Sequence, residues 1–136
     1  MKSMRKVSYY YAHIPNRKGV GAQVLSEFAA HRIDFRALSG FPNGRRAQLD
    51  FFPADPKAFK AAARKLKVRL IGPKTGFLMQ ADDHIGAIAQ VLSVLAKAGI
   101  DVVAMHAVVA GKGRFGMLFW VAPESVGKAA KVLRAK

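Results

Sequence analysis

Four histidines, His13, His31, His84 and His106, are the side chains best suited to acid–base or metal chemistry near neutral pH. No two of them stand at metal-ligand spacing. Cys is absent, which excludes disulfides, thiolate nucleophiles, zinc knuckles and iron–sulfur clusters. Gly111-x-Gly113-x-x-Gly116 spells a dinucleotide fingerprint. It runs into a predicted strand, however, and the fingerprint needs a helix there. There is no nucleophile elbow, no phosphate loop and no acid–base pair on rigid spacing. An enzyme is therefore not expected, and no cofactor or metal is implied.

Two short segments are left as candidates for binding. Asn16-Arg17-Lys18-Gly19 and Asp83-His84-Ile85-Gly86 are both turn-like, and both lead from a strand pattern into a helix pattern. They are copies of each other. Sliding the sequence on itself by 67 positions gives a gapless match, in which Ala22-Gln23-Val24-Leu25-Ser26 falls on Ala89-Gln90-Val91-Leu92-Ser93. Ile33-Asp34 falls on Ile100-Asp101, Gly44 on Gly111, Phe52 on Phe119 and Pro56 on Pro123. The chain reads as two units, 1–72 and 73–136. Units that small bury little surface alone, so they are expected to pack together.

Each unit spells the elements that must hold its turn. Val7–Ile14 and Thr75–Ala81 are predicted strands. Val20, Val24, Leu25 and Phe28 recur at helical spacing, as do Ile88, Val91, Leu92 and Leu95. Gly99 marks a helix end where the first unit has Arg32. Hairpins follow at Asn43-Gly44 and at Gly111-Lys112-Gly113. Asp55-Pro56 supplies an N-cap and a first helical proline for a second helix. Val68–Ile71 closes the first unit as a strand ended by Gly72-Pro73. The fold class is α+β: two ferredoxin-like βαββαβ units, each an antiparallel sheet with helices on one face. The chain stops at Lys136, where the second unit's last strand should begin. That unit is expected to lack this strand and to leave Thr75–Ala81 as an edge for a partner chain or Val68–Ile71 to cover.

These residues resemble tandem ACT domains. The second unit carries Asp83-x-x-Gly86-x-Ile88 and ends Gly99-Ile100-Asp101-Val102. The first carries Asn16-Arg17-Lys18-Gly19-Val20, then Ile33-Asp34. The pattern is similar to the regulatory domains of phosphoglycerate dehydrogenase and prephenate dehydratase, except that Lys18 stands where proline is usual. The resemblance implies a regulatory protein that binds an amino acid or related metabolite and acts through association. It places the ligand at the turn between first strand and first helix, here Asn16, Arg17, Lys18, Gly19, Val20 and Gly21, and at the Asn of the family's Gly-Ile-Asn end, here Asp34. In the second unit it maps to Asp83, His84, Ile85, Gly86, Ala87 and Asp101. It also implies a homodimer. A helix N-terminus suits a carboxylate, and glycine lets a ligand approach the backbone. The first turn, with two cations, is the better anion site. The second, with Asp82, Asp83 and Asp101, would suit an ammonium.

Charge supplies the alternative. Lys and Arg total 23 against 8 Asp and Glu, a formal +15. Residues 1–69 carry +11 of it and residues 70–136 carry +4. Lys57, Lys60, Arg64 and Lys67 line one side of a predicted helix with no Glu to pair them. An acidic protein partner could dock there in a salt-sensitive way. Arg114-Phe115-Gly116-Met117-Leu118-Phe119-Trp120 resembles an RNA-stacking strand, so a basic ferredoxin-like RNA binder is the second reading. Met117 interrupts its aromatic alternation, and the matching strand of the first unit has no such platform. No apolar run approaches the roughly 20 residues of a membrane span, and no signal core follows the basic N-terminus. A cytoplasmic protein is expected.

Overall fold

The computed structural model describes residues 2–136. In chain order the elements are β1 (Ser3–Pro15), α1 (Val20–Ala30), β2 (Phe35–Asn43), β3 (Arg46–Pro53), α2 (Pro56–Leu66), β4 (Ile71–Asp82), α3 (Ala87–Lys97), β5 (Val102–Gly111), β6 (Arg114–Val121) and α4 (Val126–Leu133). A 3-10 turn at Pro123–Ser125 leads into α4. The strands form a six-stranded sheet ordered β2-β3-β1-β4-β6-β5. The fold is α+β, as the sequence predicts.

Contacts divide the chain into two compact units. One is Ser8–Lys74. The other joins the residues up to Val7 to Thr75–Lys136. Two long strands cross this division, because β1 and β4 each begin in one unit and end in the other. The sequence predicts separate strands at Val68–Ile71 and Thr75–Ala81. The structure has one strand there, and only Ile71 of the first segment belongs to it. At Gly72 (φ +129°) the chain runs so close to Tyr9 that a Cβ would lie 3.0 Å from the Tyr9 carbonyl oxygen. Only glycine fits, so the Gly72-Pro73 pair permits close pairing where the sequence suggests a stop.

The unit Ser8–Lys74 packs α1 and α2 over β1 and β3. Tyr10 and Ala12 of β1 alternate inward, as strand periodicity requires. Phe28, Phe51 and Phe59 are fully buried, with ring centroids 5.0–5.5 Å apart. Such aromatic clusters add about 1 kcal/mol per pair beyond area burial. Asp55 caps α2 by accepting from Ala58 N at 3.1 Å.

The other unit packs α3 and α4 over β4 and β6. Its core is largely aliphatic, built on Val91, Leu95, Met117 and Leu133, with Phe77 stacked on Phe119 at 5.2 Å. Met4 is buried in this core. Lys6 N donates to Lys136 O at 2.9 Å, and Lys136 N to Met4 O at 3.1 Å. The strand expected to be missing is thus supplied by the start of β1. Neither Val68–Ile71 nor a second chain is needed, because Met4 alternates into the same apolar layer as Phe77.

The gapless 67-residue match does not hold through the hairpins. Tyr10 pairs with Phe51 and Phe77 with Phe119; Pro15 pairs with Arg46 and Asp82 with Arg114. The strands β3 and β6 are therefore 68 residues apart. The ladder of β5 and β6 shifts between Val109 and Gly111, where β2 and β3 stay in step. Ala110 is the extra residue of that bulge. So Phe119 corresponds to Phe51, and Gly44 and Gly111 hold different turn positions.

Candidate functional site

Both predicted turns are strand-to-helix junctions of the same design. Gly19 (φ +85°) precedes α1 and Gly86 (φ +87°) precedes α3, each in the left-handed conformation. A residue with a Cβ is strained at such a φ. No side chain caps either helix start. In the first, Asn16 N donates to Arg45 O (3.2 Å) and Val20 N to Arg17 O (3.3 Å). In the second, Asp83 N donates to Gly113 O (2.7 Å) and Ala87 N to His84 O (3.1 Å). Each turn is thus tied to the tip of its own hairpin. Asn16, Arg17, Lys18 and Gly19 are exposed, while Val20 and Gly21 are half-buried. Asp83, His84, Ile85 and Gly86 are exposed, and Ala87 is buried.

The structure separates Asp34 and Asp101 from the turns of their own units. Asp34 lies beyond the far end of α1, whose 11 residues span about 16 Å. Its Oδ1 accepts from Phe35 N at 3.0 Å, and its carbonyl from Ala54 N at 3.0 Å. Asp101 is exposed beyond the end of α3, which also has 11 residues. Within one unit, the length of a helix lies between each aspartate and its turn. His84 and His106 have different neighbours. The His84 ring bonds through Nδ1 with Ile85 O at 3.0 Å, and His106 lies 6.1 Å from the Trp120 ring.

The surroundings of the two junctions differ. Asp82, paired across the ladder with Arg114, accepts from its Nη1 at 2.8 Å. The equivalent pair is Pro15 and Arg46, so no carboxylate faces that arginine from β1. Arg45 sits on the hairpin tip that holds Asn16, beside the turn that carries Arg17 and Lys18.

A cavity of about 570 Å³ opens beside the second junction. His84 and Ala87 line it; Asp83, Ile85, Gly86 and Asp101 do not. Its walls come from α3 (Val91, Val94), α4 (Val132, Leu133), β4 (Met79, Ala81) and Phe115. Its polar groups include Asp82, Gln90, Arg134 and Lys2. Of these four the sequence pointed only to Asp82, and Gln90, Arg134 and Lys2 were not foreseen. Gln90 lies on α3 and Arg134 just past the end of α4, and no spacing rule joins them. Lys2 reaches the unit only because β1 crosses into it.

The RNA-stacking strand is not available on β6. Phe115, Met117 and Phe119 are all buried beneath the helices. Among the described residues no group of three or more His, Asp or Glu could hold a metal, and no helix is long and apolar enough to cross a membrane.

No protein-family model and no curated protein matches this sequence. Solved structures do match. Protein BT0572 from Bacteroides thetaiotaomicron is similar over 98% of this chain and 88% of its own, with TM-score 0.80 and 21% identity. The ligand-free regulatory subunit of aspartate kinase from Thermus thermophilus is similar over 98% and 95%, with TM-score 0.64 and 12% identity. A structure of aspartokinase alpha and beta subunits gives 98% and 94%, TM-score 0.60 and 18% identity. At such identities the likeness shows the fold, which is ACT-like.

Proposed function

We propose that this chain is a regulatory protein that binds a small molecule, an amino acid, at its strand–turn–helix junctions. It acts through association and does no chemistry of its own. The observation that carries this reading is the pair of uncapped helix starts, each opening on a left-handed glycine. A ligand carboxylate would take the place of the missing cap. The fold shared with a regulatory subunit of aspartate kinase supports the same reading. The first junction, with Asn16, Arg17 and Lys18, suits the carboxylate better than the second. Association as a homodimer is supported by β5. It is one of the two outermost strands of the sheet order, and its Val103, Val108 and Val109 are exposed. An acidic partner protein would meet Lys57, Lys60 and Arg64, all exposed on α2.

A thermal-shift panel of the amino acids tests this, because a ligand of the native state raises its melting temperature. One amino acid should raise it, and Asn16→Ala should shrink that rise while Asp83→Ala changes it less. A panel with no shift, together with tight salt-dependent RNA binding, would sink the reading in favour of the RNA alternative.

A further inference from the structure

The cavity between α3 and α4 has a chemistry that the junctions do not share. Its floor is hydrocarbon: Met79, Ala81, Val91 and Phe115 are each 7% exposed or less, yet each contributes to the wall. A volume of about 570 Å³ lies within the range of small-molecule pockets, roughly 300–1,000 Å³. The charges lie at its edge. Lys2 and Arg134 are exposed cations on two separate segments. Asp82 is the lining's one carboxylate among the described residues, and Arg114 holds it at 2.8 Å. The local balance therefore favours an anion at the mouth and an apolar body below it. An α-ammonium group beside that anion would be repelled by Lys2 and Arg134, which cannot accept a hydrogen bond, while the one carboxylate of the lining is already engaged by Arg114.

We propose that this cavity is a second binding site, and that it takes an apolar monocarboxylate without an α-amino group: a medium-chain or aromatic acid. The hydrocarbon body lies on Met79, Val91 and Phe115. The carboxylate meets Arg134, which can bond it through two parallel N–H groups, and Lys2. The cavity touches the second junction at His84 and Ala87 and does not touch the first, so octanoate binding and the Asn16-dependent amino-acid shift fail or succeed independently.

Sodium octanoate is a suitable probe, with octylamine as the same tail bearing the opposite charge. Amide shifts followed by NMR on the full chain should saturate with octanoate and cluster at Gln90, Val94, Val132 and Arg134. Octylamine should leave them in place. Arg134→Gln removes a charge-assisted contact from an exposed position and should weaken octanoate about tenfold. Val94→Glu puts a carboxylate on an exposed helix position at the rim and should weaken it further. Neither change alters the core, so loss of binding would not report misfolding. Octylamine binding as well as octanoate would overturn the proposal. So would shifts that never saturate or that map outside the cavity, or indifference to both substitutions.

Discussion

Asp50 and Leu118 occupy the same place in the two units. Asp50 stands opposite Tyr11 in the β1–β3 ladder, and Leu118 opposite Leu78 in the β4–β6 ladder. Both are buried, at 2% and 6% exposure. One is a carboxylate that accepts from Gln48 Nε2 at 2.9 Å, with His13 bonded to Gln48 at 3.3 Å behind it. The other is a leucine against a leucine. The junctions differ as well. One pairs Asp82 with Arg114, and the other leaves Arg46 opposite a proline. The shared framework therefore requires the inward layer of each unit and leaves the opposite sheet face open to change. Polar and cationic chemistry has gathered in Ser8–Lys74, while the cavity belongs to the other unit.

Forcing the chemistry of one unit's outer face onto the other should cost the most stability. Leu118→Asp buries a carboxylate opposite Leu78 on β4, with Gly116 where the other unit has Gln48 and only the exposed His106 opposite on β5. It should cost about 4 kcal/mol, read as a lower urea midpoint. A loss below about 1 kcal/mol would mean that this face opens to water on demand. The reverse test is milder. Asp50→Ala leaves a half-buried Gln48 amide without its acceptor and should cost about 2 kcal/mol. If Asp50→Ala proved neutral in urea unfolding, the polar chain from His13 to Asp50 would be incidental to stability.

The inward layer was legible in the sequence because it follows simple periods. Phe28, Phe59, Val91 and Leu95 sit where helical spacing puts them, and each is buried. The Asp55 cap and both hairpin turns were legible for the same local reason. Two features were not. The bulge at Ala110 moves one strand by a single residue, and a gapless match carried by helices hides such a slip. The passage of β1 and β4 through both units is also non-local. Nothing near Met4 in sequence says that its partner is Phe77. Of the candidate site, the two glycine turns could be read and the cavity could not, because its walls come from four elements and the N-terminal segment.

The aromatic core offers an intermediate effect. Phe28 and Leu95 are equivalent, and both are fully buried. Phe28→Leu copies the second unit into the first but leaves Phe51 and Phe59 facing a gap. It should cost about 1.5 kcal/mol by thermal or urea unfolding. The same loss should nearly vanish in a background where a larger residue fills the space. If it persisted there unchanged, side-chain volume would not be its cause.

The helix ends of the two units differ by a single side chain on one shared backbone geometry. Arg32 (φ +61°) and Gly99 (φ +75°) end α1 and α3 in the same way. Arg32 N donates to Ala29 O and Gly99 N to Ala96 O, both at 2.9 Å. Ile33 N reaches back to Phe28 O at 3.1 Å, and Ile100 N to Leu95 O at 2.9 Å. This is the bond pattern that closes a helix through a left-handed residue. Glycine holds that conformation without strain, whereas arginine pays for its Cβ. The arginine compensates only by restricting the unfolded chain, which is the smaller term where φ is positive. Arg32→Gly should therefore stabilise by about 0.7 kcal/mol, and Gly99→Arg should destabilise by a similar amount. The two sites share one geometry and the substitutions are inverse, so the side-chain surroundings are the main difference left between them. Melting temperatures that move in opposite directions would show that backbone conformation sets the sign. If both fell, the Arg32 side chain would be stabilising its own unit through contacts that outweigh the strain.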